Sequence, residues 1–191
     1  QTASRLLPLV ALRDVMQTYP LPIPDGDVQR FLGAGVQRLL SMQTATGGFA
    51  YWPGGREPNV YATAYVTWVL HLASRAGYAI PQTELGRAAD YLQRLVEPPA
   101  PAPATDPETA AATEPDEAPS ELLGSDYLDN ARRALAVQVL AELGRPVPRA
   151  LAKLIEHREE LPLFARALLV QARQTQALPP TPNLPSAEQL S

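Results

Sequence analysis

Apolar residues recur along the chain at spacings of three and four positions, which is typical of helices with one buried face. The pattern predicts helices over about residues 2–17, from Asp25 or Asp27, over residues 60–75, from Pro81, from Asp126, from Pro148 and over residues 161–174. No segment alternates between apolar and polar residues over the length of a strand. The sequence therefore predicts an all-α protein of about seven helices.

Bulky aromatic residues stand on the apolar faces of three of these helices, and the pattern predicts that they lie in the core. They are Phe31, Tyr61, Tyr65, Trp68 and Phe164. The stripe formed by Tyr61, Tyr65 and Trp68 repeats at helical spacing, so it is interpreted as core rather than as a ligand site.

Proline and glycine residues divide the chain into four parts. Residues 1–96 hold four predicted helices in two hairpins, and residues 125–176 continue with the others. Between them, residues 97–124 are predicted to be a flexible acidic linker or insertion, because residues 97–121 contain seven prolines, seven acidic residues and no basic ones. Residues 177–191 are predicted to be a tail with the start of a truncated helix.

Helical hairpins cannot bury both faces alone, so they are predicted to stack in a solenoid or a closed ring.

Composition excludes several classes of function. The 191 residues carry a net charge of −4 with a pI near 5.2, and no Lys/Arg cluster is present, which argues against a nucleic-acid partner. The chain has no Cys, so disulfides and thiolate catalysis are excluded within these residues. There is no HExxH motif, zinc-ligand spacing or phosphate-binding loop, so no metal and no cofactor are predicted. No apolar run is long enough for direct membrane insertion.

Three motifs together resemble one known family. The chain opens with Gln-Thr-Ala-Ser-Arg-Leu-Leu-Pro-Leu-Val, residues 47–54 read Gly-Gly-Phe-Ala-Tyr-Trp-Pro-Gly, and residues 61–66 read Tyr-Ala-Thr-Ala-Tyr-Val. Together they resemble the thioester domain of alpha-2-macroglobulins, most closely the bacterial ones. In that family a Cys-x-Glu-Gln motif precedes such a helix, and its Cys and Gln side chains are joined as a thioester. The resemblance makes Gln1 the acyl residue and puts the Cys three residues before it, outside this sequence.

The resemblance implies a fold and a function. The thioester domain is an α/α toroid, so the chain is expected to form an incomplete toroid of stacked helical hairpins, about half of the ring. The family implies a bacterial host-defence protein, secreted or membrane-anchored in the periplasm, that inhibits a broad range of proteases. Cleavage of a bait region elsewhere exposes the thioester, which captures the protease covalently without turnover, so the protein is not expected to be an enzyme. The implied partners are target proteases, through the parent protein, and the remaining domains of that parent macroglobulin.

Candidate site residues follow from the same resemblance. Gln1 is the only residue of this chain expected to form part of the thioester. Tyr51 and Trp52 are candidates for shielding it, because an acyl bond kept away from water is hydrolysed more slowly. The alternative is that both are packing anchors beside an inward-facing Phe49. The two histidines, His71 and His157, do not stand where eukaryotic members carry an acyl-accepting histidine. Both are interpreted as structural, and a thioester here is expected to prefer amines.

Two other functions stay open. A helical-repeat interaction module without thioester chemistry would use Tyr51 and Trp52 as a contact patch. A toroid cyclase or lyase would need a cluster of carboxylates facing the hollow of the ring. The sequence shows no such cluster outside residues 97–124, so the interaction module is the preferred alternative.

Overall fold

The computed structural model describes residues 1–11, 25–97 and 127–176, and these residues are helical apart from their connecting loops. Seven α-helices are present in the described ranges: α1 Thr2–Ala11, α2 Asp25–Leu40, α3 Val60–Arg75, α4 Gln82–Val96, α5 Tyr127–Glu142, α6 Pro148–Glu156 and α7 Leu163–Thr175. A 3₁₀ turn at Arg158–Glu160 precedes α7. The predicted acidic linker after residue 97, the tail 177–191 and residues 12–17 of the first predicted helix lie outside the described residues.

Local signals fix the ends of α3, whose bounds agree with the sequence prediction. Asn59 precedes the helix in an extended conformation, and its side-chain oxygen accepts a hydrogen bond from the Ala62 N–H at 3.0 Å. At the other end Gly77 takes a φ of +86°, which residues with a Cβ rarely adopt. That conformation lets the Tyr78 N–H reach back to the Ala73 carbonyl at 3.0 Å, which closes the helix in a Schellman turn.

Alternate helices pack side by side, in the order α1, α3, α5 and α7. The intervening helices flank this row: α2 packs on α1, α4 packs on α3 and α5, and α6 packs on α5 and α7. Two hydrophobic clusters fill the space between the packed helices. One is formed by side chains of α1 to α4, and the other by side chains of α3 to α7. Stacked helical hairpins in this order are consistent with an arc of an α/α toroid, as the resemblance implied.

Small side chains allow the helices of the central row to approach one another closely. The helix α5 buries four alanines, and α3 buries Thr63 and Thr67 completely. The hydroxyl of Thr67 donates to the Thr63 carbonyl at 2.6 Å, so its burial leaves no unsatisfied donor. Small residues at these positions let the helices of the row pack closely.

Several predicted core aromatics lie elsewhere. Phe31 and Phe164 are 47% and 60% exposed, so their prediction as core residues is wrong. In α7 the buried positions are instead Ala165, Leu169 and Ala172. In the aromatic stripe of α3 the core prediction is wrong for Tyr61, which is 45% exposed, whereas Tyr65 and Trp68 are half-buried and pack against the hydrophobic clusters. The helix has a second apolar face of smaller residues, and periodicity alone does not show which face is buried.

Candidate functional site

Gln1 stands at the start of α1, where its carbonyl accepts a hydrogen bond from the Arg5 N–H at 3.1 Å. Its side chain is exposed. Beside it, the loop between α2 and α3 and the first turns of α3 enclose a groove of about 350 Å³. The residues that line it include all three candidates from the sequence, together with two further aromatics: Gln1, Tyr51, Trp52, Tyr61 and Tyr65.

The aromatic wall of this groove is open to solvent. Tyr51 and Trp52 are 59% and 76% exposed, so they are not packing anchors. Phe49 is the anchor of the loop, as predicted, with no exposed surface. Tyr61 and Tyr65 stack with their ring centroids 5.9 Å apart and their planes within 5°. The aromatic pattern predicted that these tyrosines lie in the core. Tyrosine, unlike leucine, also suits a partly exposed surface, because its ring is apolar and its hydroxyl can stay in water.

A second hollow, of about 340 Å³, adjoins Gln1 on its other side. Its lining includes Thr2, Phe31 and two cations, Arg5 and Arg38. Arg38 lines both the groove and this hollow. Among the described residues that line either one there is no carboxylate, so the surroundings of Gln1 are neutral to positive. A glycosidase-type pair of acidic groups does not occur at this site within the described part of the chain.

The loop that carries Tyr51 and Trp52 is held to α4 by hydrogen bonds from Gln43, within the loop, and from Arg87, on α4. The Gln43 amide donates to the Gly47 carbonyl at 2.9 Å and to the Glu84 carbonyl, on α4, at 2.8 Å. The Arg87 guanidinium donates to the Thr44 carbonyl at 3.2 Å. At Gly47, with a φ of +97°, a Cβ would lie 2.4 Å from the Arg87 carbonyl oxygen, so only glycine fits.

The two histidines lie away from the groove around Gln1. His71 is half-buried on α3, and this burial lowers its pKa. The Glu142 carboxylate opposes that shift, and the charge of Arg75 adds to it. His157 is exposed, with its Nδ1 atom 3.6 Å from Glu160 Oε1. Neither histidine lines the groove or the adjoining hollow.

The described ranges contain neither a candidate metal site nor a candidate membrane span. No group of three or more acidic or histidine side chains there could hold a metal ion. In the same residues, none of the helices combines the length and the apolar character needed to cross a bilayer.

Comparisons with known proteins identify relatives in sequence and in fold. No protein-family model matches the chain. The alpha-2-macroglobulin of Escherichia coli strain K12 is 35% identical over 102 residues, a match that covers 52% of this chain and 6% of that protein. The chain thus spans a small part of the length of this relative.

Solved structures of bacterial alpha-2-macroglobulins match most of the chain. The native Escherichia coli protein, solved from domain MG7 to its C-terminus, gives a TM-score of 0.71 at 26% identity and covers 92% of this chain and 26% of that one. The trypsin-activated Escherichia coli protein gives 0.70 at 25% identity, covering 91% and 11%. A Salmonella alpha-2-macroglobulin reacted with methylamine also gives 0.70, covering 92% and 11%, and at 23% identity it shows the fold alone. The chain is therefore homologous, in sequence and in fold, to a segment of bacterial alpha-2-macroglobulin.

Proposed function

We propose that this chain is part of a broad-spectrum protease inhibitor of the macroglobulin type and that Gln1 supplies the acyl group of its thioester. The observation that carries the proposal is the position of Gln1, exposed at the start of α1 and beside a groove walled by Tyr51 and Trp52. The Escherichia coli relative supports it, because structures of that protein were solved after activation by trypsin and by porcine elastase.

The proposed reaction is a single acyl transfer. The Gln1 side-chain carbonyl carbon is bonded to the sulfur of a cysteine that precedes it in the parent polypeptide. A lysine amine of the attacking protease adds to this carbon, a C–N bond forms, and the C–S bond breaks. The sulfur leaves as a thiolate and takes up the proton that the amine loses. The product is an amide that joins the protease to Gln1, so each inhibitor acts once and is not an enzyme.

The surroundings of Gln1 fit this chemistry. The aromatic side chains of Tyr51 and Trp52 reduce the access of water to the acyl carbon, which slows hydrolysis of the resting thioester. Arg38 lines both hollows beside Gln1, and we propose that its positive charge favours the negative charge that develops on the carbonyl oxygen and on the departing sulfur. The absence of a histidine from the described lining fits a preference for amines over hydroxyls.

The remaining parts of the proposal concern the parent protein. The captured partners are proteases, and the other domains of the parent macroglobulin supply the bait region and cover the groove until cleavage. A periplasmic or secreted location agrees with that role, since attacking proteases come from outside the cell. No nucleic-acid partner is expected for a chain with a net charge of −4.

Methylamine tests the proposal, because it is a small amine that reaches the acyl carbon directly. The parent polypeptide, including the residues before Gln1, is treated with methylamine, and its intact mass and free thiols are measured. The proposal expects one adduct, mapped to Gln1, and one new thiol. A Gln1→Ala variant is expected to show neither, while Gln37→Ala, at another exposed glutamine, reacts like the unmodified protein. A folded parent that gives no adduct and no thiol would overturn the proposal.

The second candidate function is a helical-repeat interaction module. The observation in its favour is the exposure of Tyr51 and Trp52, which makes a contact patch on a rigid helical scaffold. The methylamine experiment separates the two, since an interaction module has no electrophile. The cyclase or lyase alternative loses support, because no carboxylate occurs among the described residues that line the site.

A further inference from the structure

The aromatic loop is tied to the helix α3 through the backbone of Phe49. Its N–H donates to the Thr63 hydroxyl oxygen at 2.8 Å, and its carbonyl accepts from the Asn59 N–H at 2.9 Å. The Thr63 hydroxyl in turn donates to the Asn59 carbonyl at 2.7 Å. Both Phe49 and Thr63 are completely buried, so water does not compete for the hydrogen bond between them. One hydroxyl therefore joins the loop to the first turn of α3.

This tie lies next to the residues that form the groove. Ala50, which follows Phe49, donates its N–H to the Met42 carbonyl at 3.0 Å and lines the groove. Tyr51 and Trp52 come directly after it and have few contacts of their own, as their exposure shows. The direction in which both aromatics leave the scaffold is thus set by the hydrogen bonds at Phe49 and Ala50.

We propose that Thr63 is a positioning residue that fixes Tyr51 and Trp52 beside Gln1 and thereby sets how fast water reaches the acyl group. The inference rests on the proposed function. Thr63 does not line the groove, so it acts only through the backbone of the loop. Loss of its hydroxyl leaves the buried N–H of Phe49 without an acceptor, which favours conformations in which the loop turns this group toward water.

The chain offers a matched control for Thr63→Val. Thr67 lies one turn further along the same helix and is equally buried, but its hydroxyl bonds only to the Thr63 carbonyl within α3. Thr67→Val makes the same chemical change without touching the loop. Thr63→Ser keeps the hydroxyl and removes the methyl group, so it separates the hydrogen bond from packing.

Amide hydrogen exchange of the 191-residue chain gives the first measurement. In Thr63→Val we expect exchange at Phe49 and Ala50 to be faster by about tenfold or more, which reports local opening of the loop. In Thr67→Val and Thr63→Ser we expect these rates to stay within about twofold of the original chain. Equal protection in Thr63→Val and Thr67→Val would overturn the inference. If Thr63→Val does not fold, Thr63→Ser decides instead: retained protection at Phe49 supports the role of the hydroxyl, and lost protection overturns the inference.

The second measurement is the spontaneous release of thiol from the parent protein without amine. Thr63→Val is expected to speed this hydrolysis by about threefold or more, and Thr67→Val is expected to leave it unchanged. Faster amide exchange with unchanged thiol release would show a merely structural role and overturn the inference. If the unmodified parent contains no thioester, the proposed function fails. The exchange rates then decide alone whether Thr63 positions the aromatic pair.

Discussion

The carboxylate of Glu97 accepts a hydrogen bond from the backbone N–H of Arg149, at 2.7 Å, across 52 positions of sequence. The same oxygen accepts from the Ala150 N–H at 3.1 Å. Both donors belong to the first turn of α6, where the residue before the helix, Val147, supplies no side-chain cap. Glu97 therefore caps this helix from outside and places a negative charge at the positive end of its dipole.

Replacing Glu97 should weaken the link between α4 and α6. We expect Glu97→Ala to lower the free energy of unfolding by about 1 kcal/mol, the usual cost of losing a helix cap. Urea unfolding followed by circular dichroism measures it. Glu57→Ala, at an exposed loop residue, should change the stability by less than about 0.5 kcal/mol. Equal stabilities of the two variants would mean that the cap contributes nothing in solution.

Two glycines in α2 allow a sharper test of how α1 and its Gln1 are held. A Cβ at Gly35 would lie 2.5 Å from a methyl carbon of Leu6, whereas a Cβ at Gly33 would meet no atom within 4 Å. Gly33→Ala should stabilise the chain by about 1 kcal/mol, because alanine favours a helix over glycine by that amount. Gly35→Ala gains the same propensity but forces buried Leu6 aside, at a cost of about 1–3 kcal/mol.

The two alanine variants should therefore differ by about 2 kcal/mol when their urea unfolding is compared. Gly35→Ala should also move the start of α1, which nuclear magnetic resonance would show as shifted amide signals for Thr2 and Ala3. Similar stability of both variants would contradict the close packing of α1 against α2.

The loop between α2 and α3 contains a second matched pair, Phe49 and Trp52. Phe49 is fully buried, so Phe49→Ala should cost about 3–5 kcal/mol through lost burial and a cavity. Trp52 is 76% exposed, so Trp52→Ala should change stability by less than about 0.5 kcal/mol. Thermal unfolding of both variants checks this. A large loss for Trp52→Ala would show that this side chain is a packing anchor after all.

The parts of the fold that depend on residues close together in the sequence were predictable. The bounds of α3 follow from the cap at Asn59 and the left-handed turn at Gly77, and both signals are local. The inward position of Phe49 follows from the glycines that precede it. The grouping of Gln1 with Tyr51 and Trp52 was suggested only by the resemblance of their motifs to one family.

Features that depend on distant contacts were not predictable. The exposure of Phe31 and Phe164 depends on which neighbouring helix covers each face, which periodicity does not reveal. The second apolar face of α3 hid the exposure of Tyr61, and both Tyr61 and Tyr65 line the groove. The cap that Glu97 provides for α6 joins two elements 52 positions apart, and no local pattern marks such a pair.

His71 gives a prediction about pH. Burial lowers its pKa below the ordinary value of 6.5, against the opposing effect of Glu142. Between the lowered pKa and 6.5 the unfolded chain binds more protons than the folded one, so stability rises with pH in that range. The contribution is complete above pH 6.5, is lost as the pH falls, and levels off below the folded pKa.

Two histidine variants isolate this effect. Urea unfolding between about pH 7.5 and pH 5 should show a shallower dependence on pH for His71→Gln than for the original chain. The same measurement on His157→Gln, at an exposed position on the loop after α6, shows whether the change is specific to His71. The chain has two histidines, so a nuclear magnetic resonance titration assigns both directly. A His71 pKa above 6.5 would mean that the Glu142 carboxylate outweighs burial, and the contribution of His71 to the slope would then change sign.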